Sequence, residues 1–254
     1  MKDPDEALLA ALDALRARNL EWIQLDVTAA VSAAELGAAL APLWRMFGPR
    51  RWWFVRKAPG MRVRVELGGA EPDALLMAFR TALDPFGPVG VTVYEPEVYR
   101  FGGTSGMDVA HDHFAFDTAL AVLFARGRGL RLTPVEWSAA ALGDLSTRVV
   151  EDPAERWDAW KKLEELLAAV GAPPAPQPRA GMGETAIPLR LATALQEGNE
   201  RVAVQLRQAA LAHGVGRRTW FAAVAVFHWN RLGLDPPQMA QVVASVLDQV
   251  GQPR

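Results

Sequence analysis

Arg62, Arg64, Arg100 and His228 are the residues of this 254-residue chain whose types and settings could do chemistry on an anionic group. The first two lie in "RVRVELGG", from Arg62 to Gly69. A strand sends alternate side chains to opposite faces, so Arg62, Arg64 and Glu66 share one face while Val63, Val65 and Leu67 share the other. Beside apolar bulk, two forked guanidinium groups would hold a carboxylate through paired N–H donors more strongly than water allows. The plainer reading is a sheet with one wet side, on which Glu66 satisfies an arginine; the alternation fits both. Arg100 precedes a helix in "YRFGGTSG", where the paired glycines permit positive φ or close backbone approach. His228, in "AVAVFHWNRLGL", shares a helix face with Val224 and Arg231. An imidazole can take and give a proton near neutral pH, but a lone histidine on an apolar face is more often a hydrogen-bonded core residue than a catalyst.

Other candidates are weaker. His111 and His113 would lie about 200° apart on a helix, a poor pair of metal ligands, and His213 stands before a glycine, where it could cap a helix end. No metal site and no cofactor motif is expected. Zero cysteines excludes disulfides, thiolate metal sites and cysteine nucleophiles.

The positioning elements follow from periodicity. The chain is 50% hydrophobic and 22% charged, enough for one large domain or two small ones. With 27 Lys and Arg against 29 Asp and Glu, no global field draws it to nucleic acid or anionic lipid. No apolar run approaches ~20 residues, and "MKDPDEALLAAL" carries acids where a signal peptide needs a basic flank. A cytoplasmic, unanchored protein that does not bind nucleic acid directly is expected. Pro4–Asn19 reads as an amphipathic helix, "EWIQLDVT" as a strand, and "SAAELGAALAPLWRMF" as a helix opened by a capping box at Ser32 and Glu35. "RWWFVRK" and "MRVRVELGG" form a plausible hairpin about "APG", "EPDALLMAFRTAL" a helix, and "PVGVTVYEPEVY" a further strand. Trp52, Trp53, Phe54 and Val55 make "RWWFVRK" apolar on both faces, which suits a sheet covered on both sides.

From Asp108 onward helical spacing dominates, including "ETAIPLRLATALQEGNERVAVQLRQAALAHG". The exception is "GAPPAPQPRAGMGE", Gly171–Glu184, where proline and glycine forbid regular structure. The expected architecture is α+β: a mixed or antiparallel sheet in the N-terminal half packed against a largely helical C-terminal half. It reads as one domain over 1–254, strand-rich over 20–105 and helical over 106–254, with a loop or lid at 171–184.

Together, "RRWWFVRKAPGMRVRVELGG", "YEPEVYRFGG", "HDHFAFDTALAVL" and "FHWNRLGL" resemble, in order and spacing, the lantibiotic dehydratase C-terminal domain, also known as the thiopeptide-type bacteriocin biosynthesis domain. The resemblance runs from about Glu21 to Val250. It implies that Arg62, Arg64, Arg100 and His228 form a glutamate-elimination site, with Arg56, Asn230 and Arg231 binding substrate. Met61, Lys57 and His111 depart from residues common in that family. The implied reaction expels glutamate from glutamylated Ser or Thr of a ribosomally made precursor peptide, leaving dehydroalanine or dehydrobutyrine. Arginines suit the departing carboxylate and the enolate charge, and His228 would serve as general acid or base. The implied partners are the precursor peptide and a separate glutamyl-tRNA-dependent glutamylating enzyme, because the chain is too short to hold that module as well. Two other readings are a pyridine-forming cyclase of thiopeptide maturation and a non-catalytic subunit that presents peptide. The second would use Trp157, Trp160, Leu163 and Leu167 as a docking stripe, although the same spacing suits a core face.

Overall fold

The computed structural model describes residues 21–127, 131–173 and 187–251. The helix read over Pro4–Asn19 lies outside the described residues, as does most of the Gly171–Glu184 stretch read as a loop or lid. The chain divides into two compact units, one ending at Pro96 and the other beginning at Glu97.

The first unit carries an antiparallel sheet of β1 (Trp22–Val27), β2 (Trp52–Lys57), β3 (Gly60–Glu66) and β4 (Val89–Thr92), in the order β2-β3-β1-β4. The expected hairpin forms, with Trp53 opposite Arg64 and Val55 opposite Arg62. On the other side of β3, Gln24 stands opposite Arg64 and Asp26 opposite Arg62. Directly opposed residues share a face. Gln24, Asp26, Trp53, Val55, Arg62 and Arg64 therefore line one side, while Leu25, Phe54, Met61, Val63 and Val65 line the other.

Helices α1 (Ala33–Phe47) and α2 (Pro72–Leu83) serve the apolar side. Trp44 of α1 stacks on Trp52 at 5.9 Å and tilts against Phe79 of α2 at 5.6 Å. The capping box that opens α1 is formed, with the Glu35 amide donating to Ser32 Oγ at 3.2 Å and the Ser32 amide donating to Glu35 Oε2 at 2.9 Å. The last strand is shorter than its pattern suggests. It pairs with β1 only from Val89 to Thr92. Tyr94 instead packs edge-on against Trp22 and Trp53, at 6.0 and 5.8 Å.

The second unit holds six helices among the described residues: α3 (Thr104–Arg126), α4 (Pro134–Val149), α5 (Pro153–Ala169), α6 (Leu189–Gln208), α7 (Arg217–Leu232) and α8 (Pro236–Val250). Thr133, Asp152 and Asp235 cap α4, α5 and α8, each ahead of a proline in the first turn. Helix α3 packs against both α6 and α7. Trp220 of α7 donates from Nε1 to the Gly106 carbonyl at 3.0 Å.

Helix α6 stops at Gln208, although apolar spacing continues to His213. Tertiary bonding outweighs local propensity there. The Ala212 amide donates to the Gly102 carbonyl at 2.8 Å, and Leu211 fills the space beside Gly102 and Gly106. His213 takes a φ of 58° within that turn, with its ring 4.8 Å from Tyr99.

On α5, Trp160, Leu163 and Leu167 are buried where the helix meets α7 and α8, so these three serve the core, while Trp157 is half-buried. No helix among the described residues is long and apolar enough to cross a membrane. A Cβ at Gly106 would stand 1.8 Å from the Phe101 carbonyl oxygen. Gly106→Ala is therefore expected to cost about 1–3 kcal/mol, the range for overpacking, read as a lowered urea midpoint with an unchanged slope.

Candidate active site

In the first unit, strand parity and cross-strand register place Arg62 and Arg64 on one face. Arg64 is held on three sides: its guanidinium carbon lies 4.2 Å from the Trp53 ring centre and 4.5 Å from that of Tyr94, and Nε donates to Gln24 Oε1 at 2.7 Å. Gln24 is fixed in turn, donating from Nε2 to Thr92 Oγ1 at 2.7 Å. A guanidinium packed in the corner of two edge-on aromatic rings is pre-oriented, so less rotamer entropy is lost when its fork meets an anion. Arg62 is looser, with Nε 3.4 Å from Asp26 Oδ1. Glu66 turns to Arg51, whose Nε donates to Glu66 Oε2 at 2.9 Å. Arg56 stands opposite Met61 and so lies on the apolar face. Its Nη1 donates to the Val31 carbonyl at 3.4 Å, and burial pulls its guanidinium below the usual arginine range.

In the second unit, Arg100 sits in the tight turn ahead of α3. That turn is closed by the Arg100 amide donating to the Glu97 carbonyl and the Gly103 amide donating to that of Val98. Gly102 and Gly103 take φ of 81° and 94°, values that disfavour a side chain. Arg100 pairs with Glu97 at 2.8 Å, and its guanidinium carbon lies 5.8 Å from the ring of Phe227, the neighbour of His228.

His228 and Arg231 occupy one side of α7, and both meet Asp117 of α3. His228 Nδ1 lies 2.6 Å from Asp117 Oδ1, while Arg231 Nε donates to Asp117 Oδ2 at 2.6 Å. His228 Nε2 is buried and has no hydrogen-bond partner among the described residues. Arg231 is 0% exposed, with its guanidinium carbon 4.9 Å from the Phe114 ring, so its place is inside the helical layer. Asn230 is half-buried, about 200° around the helix from His228. The structure thus brings His228 and Arg231 together, joins Arg62 with Arg64, and separates Arg56 and Asn230 from those pairs.

Asp117 is the residue that the sequence reading did not single out. Ala110, Phe114, Asp117 and Ala121 fall at i, i+4, i+7 and i+11, so an acid interrupts a buried helical stripe. Such an acid needs a buried cation somewhere. That interruption was the available signal.

Charge in this cluster is finely divided. Burial alone would raise the Asp117 carboxyl, but the His228 and Arg231 charges and the hydrogen bond from His228 together outweigh burial, holding it well below the usual carboxylate range. Burial lowers the Arg231 guanidinium, and Asp117 opposes that shift. Burial likewise pulls the His113 imidazole down to about 3; Asp117 works the other way, and Arg231 and His228 add to the fall. Among the described residues, no group of three or more His, Asp or Glu could hold a metal ion.

His113 has a consequence for stability. Its folded pKa of about 3 lies below the ordinary 6.5, so the unfolded chain binds the extra proton between those values. Its contribution is complete above pH 6.5 and is lost as pH falls toward about 3. His113→Phe, which retains the ring packing against Trp220 at 6.0 Å, is expected to flatten that limb. The difference in urea midpoint between pH 7 and pH 4.5 should be smaller in the variant than in the parent; an equal difference would contradict this.

The family described as lantibiotic biosynthesis dehydratase C-term matches residues 22–249. Among solved structures, the chain is similar to the tRNA dependent lantibiotic dehydratase MibB from Microbispora sp. 107891, at 18% identity and a TM-score of 0.59. That match covers 90% of this chain and 28% of the MibB chain, so the chain spans under a third of that relative's length. It is also similar to TbtD, the pyridine synthase from thiomuracin biosynthesis, at 14% identity and a TM-score of 0.50, covering 90% of this chain and 97% of that one. At these identities the likeness is one of fold. No curated protein sequence matches the chain.

Proposed function

The chain belongs to the lantibiotic biosynthesis dehydratase C-terminal family, and from that premise we propose that it is a glutamate-elimination lyase. The family takes part in the dehydration of ribosomally made precursor peptides. The specific step proposed acts on a Ser or Thr whose hydroxyl carries a glutamyl ester. A base takes the α-proton, the electron pair becomes the Cα=Cβ bond, the Cβ–O bond breaks, and glutamate departs as a carboxylate. His228 moves the proton, while Arg62, Arg64 and Arg100 meet the departing carboxylate and the enolate charge. The glutamyl ester is supplied by a separate glutamylating partner in the cytoplasm.

The observation that carries this reading is the two-sided state of His228. One ring nitrogen is engaged by a carboxylate at 2.6 Å, and the other is buried without a partner among the described residues. The nitrogens of His113 are also buried and unpartnered among the described residues, so what sets His228 apart is the carboxylate that orients its other nitrogen. A histidine kept for proton transfer needs one nitrogen oriented and the other bare.

A second reading, a pyridine-forming cyclase, draws on the near-complete coverage of TbtD. Retention of Arg62, Arg64, Arg100 and His228 favours elimination, because a cycloaddition has less use for a carboxylate clamp. The burial of Trp160, Leu163 and Leu167 leaves only the half-buried Trp157 of the proposed docking stripe for the peptide-presenting alternative. The discriminating experiment supplies the purified protein with a glutamyl-serine ester peptide and, separately, with a bis-dehydroalanine peptide, and follows free glutamate and ring formation. Glutamate release from the first is the expected result. Ring formation from the second without glutamate release would favour the cyclase.

A further inference from the structure

We propose that Asp117 is a positioning residue that decides which ring nitrogen of His228 carries the proton, an inference that rests on the lyase reading for its kinetic consequence. The logic is one of donor and acceptor counting. Arg231 is permanently protonated and has only donors, so its Nε–H, 2.6 Å from Oδ2, consumes one side of the Asp117 carboxylate. Oδ1 is then an acceptor facing His228 Nδ1 at 2.6 Å. A bare nitrogen lone pair at that distance from a carboxylate oxygen would be repelled. Neutral His228 must therefore hold its proton on Nδ1 and its lone pair on Nε2.

Nε2 is the nitrogen with no partner among the described residues. Asp117 thus puts the basic lone pair on the nitrogen that has no partner among the described residues, and remains beside the imidazolium once the proton arrives. The buried setting keeps the arrangement in one state. Asp117 is 4% exposed and His228 1%, and Phe114 packs over the Arg231 guanidinium. The charged and titratable groups acting on Asp117 here are His228, Arg231 and His113, the last held neutral near pH 7 by burial.

A purely structural Asp117 would brace α3 against α7 and leave the tautomer indifferent. Asp117→Asn separates the two roles. Arg231 still demands an acceptor and takes the amide oxygen, which turns the amide N–H groups toward His228 Nδ1. That nitrogen must then accept, the proton moves to Nε2, and the lone pair needed for proton abstraction is lost. The same exchange in the serine-protease triad is a known precedent for a wrong-tautomer defect.

The test is nitrogen-15 NMR of the His228 ring in the parent and Asp117→Asn proteins above neutral pH, paired with kinetics of glutamate release from a glutamyl-serine ester peptide. The parent should show the Nδ1–H form and the variant the Nε2–H form, with kcat lowered about 10²–10⁴-fold and KM little changed. An Nε2–H ring in the parent would overturn the proposal whether or not the variant folds. A variant that keeps the Nδ1–H form would overturn it as well, and one that switches the tautomer with kcat intact would overturn its kinetic consequence. If the tautomer switches but the parent releases no glutamate, the lyase reading fails while the positioning of His228 by Asp117 stands.

Discussion

His228→Ala is expected to lower the rate of glutamate release from a glutamylated peptide about 10²–10⁴-fold, the range for loss of a positioned general acid or base. The loss should fall on kcat, because proton transfer belongs to the transition state rather than to peptide binding. The variant should remain folded. Asp117 keeps Arg231 at 2.6 Å, so no buried charge is left without its counter-ion, and the cost is confined to a cavity and one vacated carboxylate oxygen. Near-ultraviolet circular dichroism alongside steady-state kinetics checks both halves of the statement. An active His228→Ala variant would return this histidine to the plainer role of a core residue.

The second large effect is expected at Arg64. Arg64→Ala should reduce kcat/KM about 10²–10³-fold, on the scale of a removed oxyanion donor. Its guanidinium lies over the rings of Trp53 and Tyr94, at 4.2 and 4.5 Å, so the fork is placed before any ligand arrives. Arg64→Lys should recover only a small part, because a single ammonium cannot reproduce paired donors or the stacking. Arg62→Ala should cost less than Arg64→Ala, since Arg62 is looser and meets Asp26 at 3.4 Å. Peptide turnover by the three variants at one pH and salt concentration orders them. A loss at Arg62 greater than at Arg64 would contradict this order.

Much of the scaffold was legible because period-2 and period-3.6 patterns are local. The shared face of Arg62 and Arg64, the hairpin, the Ser32 capping box and the helical second half all follow from spacings of a few residues. What was not legible depends on long-range partners. Asp117 could be seen as an acid on an apolar stripe, but His228 lies 111 residues away and Arg231 114, and no periodicity supplies that pairing. Arg231 reads as a substrate-binding cation on the His228 face until Asp117 is placed against it. The face occupied by Arg56 depends on the β2–β3 register, which sets it opposite Met61 and away from Arg64. The end of α6 was misread for a related reason. The Ala209–His213 segment is helical by composition, and a bond to the Gly102 carbonyl, more than a hundred positions earlier in the chain, draws it into a turn.

The central claim is that this chain expels glutamate from an esterified serine or threonine, and mass spectrometry of one peptide tests it most directly. A synthetic peptide carrying a single glutamyl-serine ester, incubated with the protein, should lose glutamic acid and appear as the dehydroalanine peptide. An ester that stays intact, or that returns to serine by hydrolysis without dehydroalanine, would contradict the account.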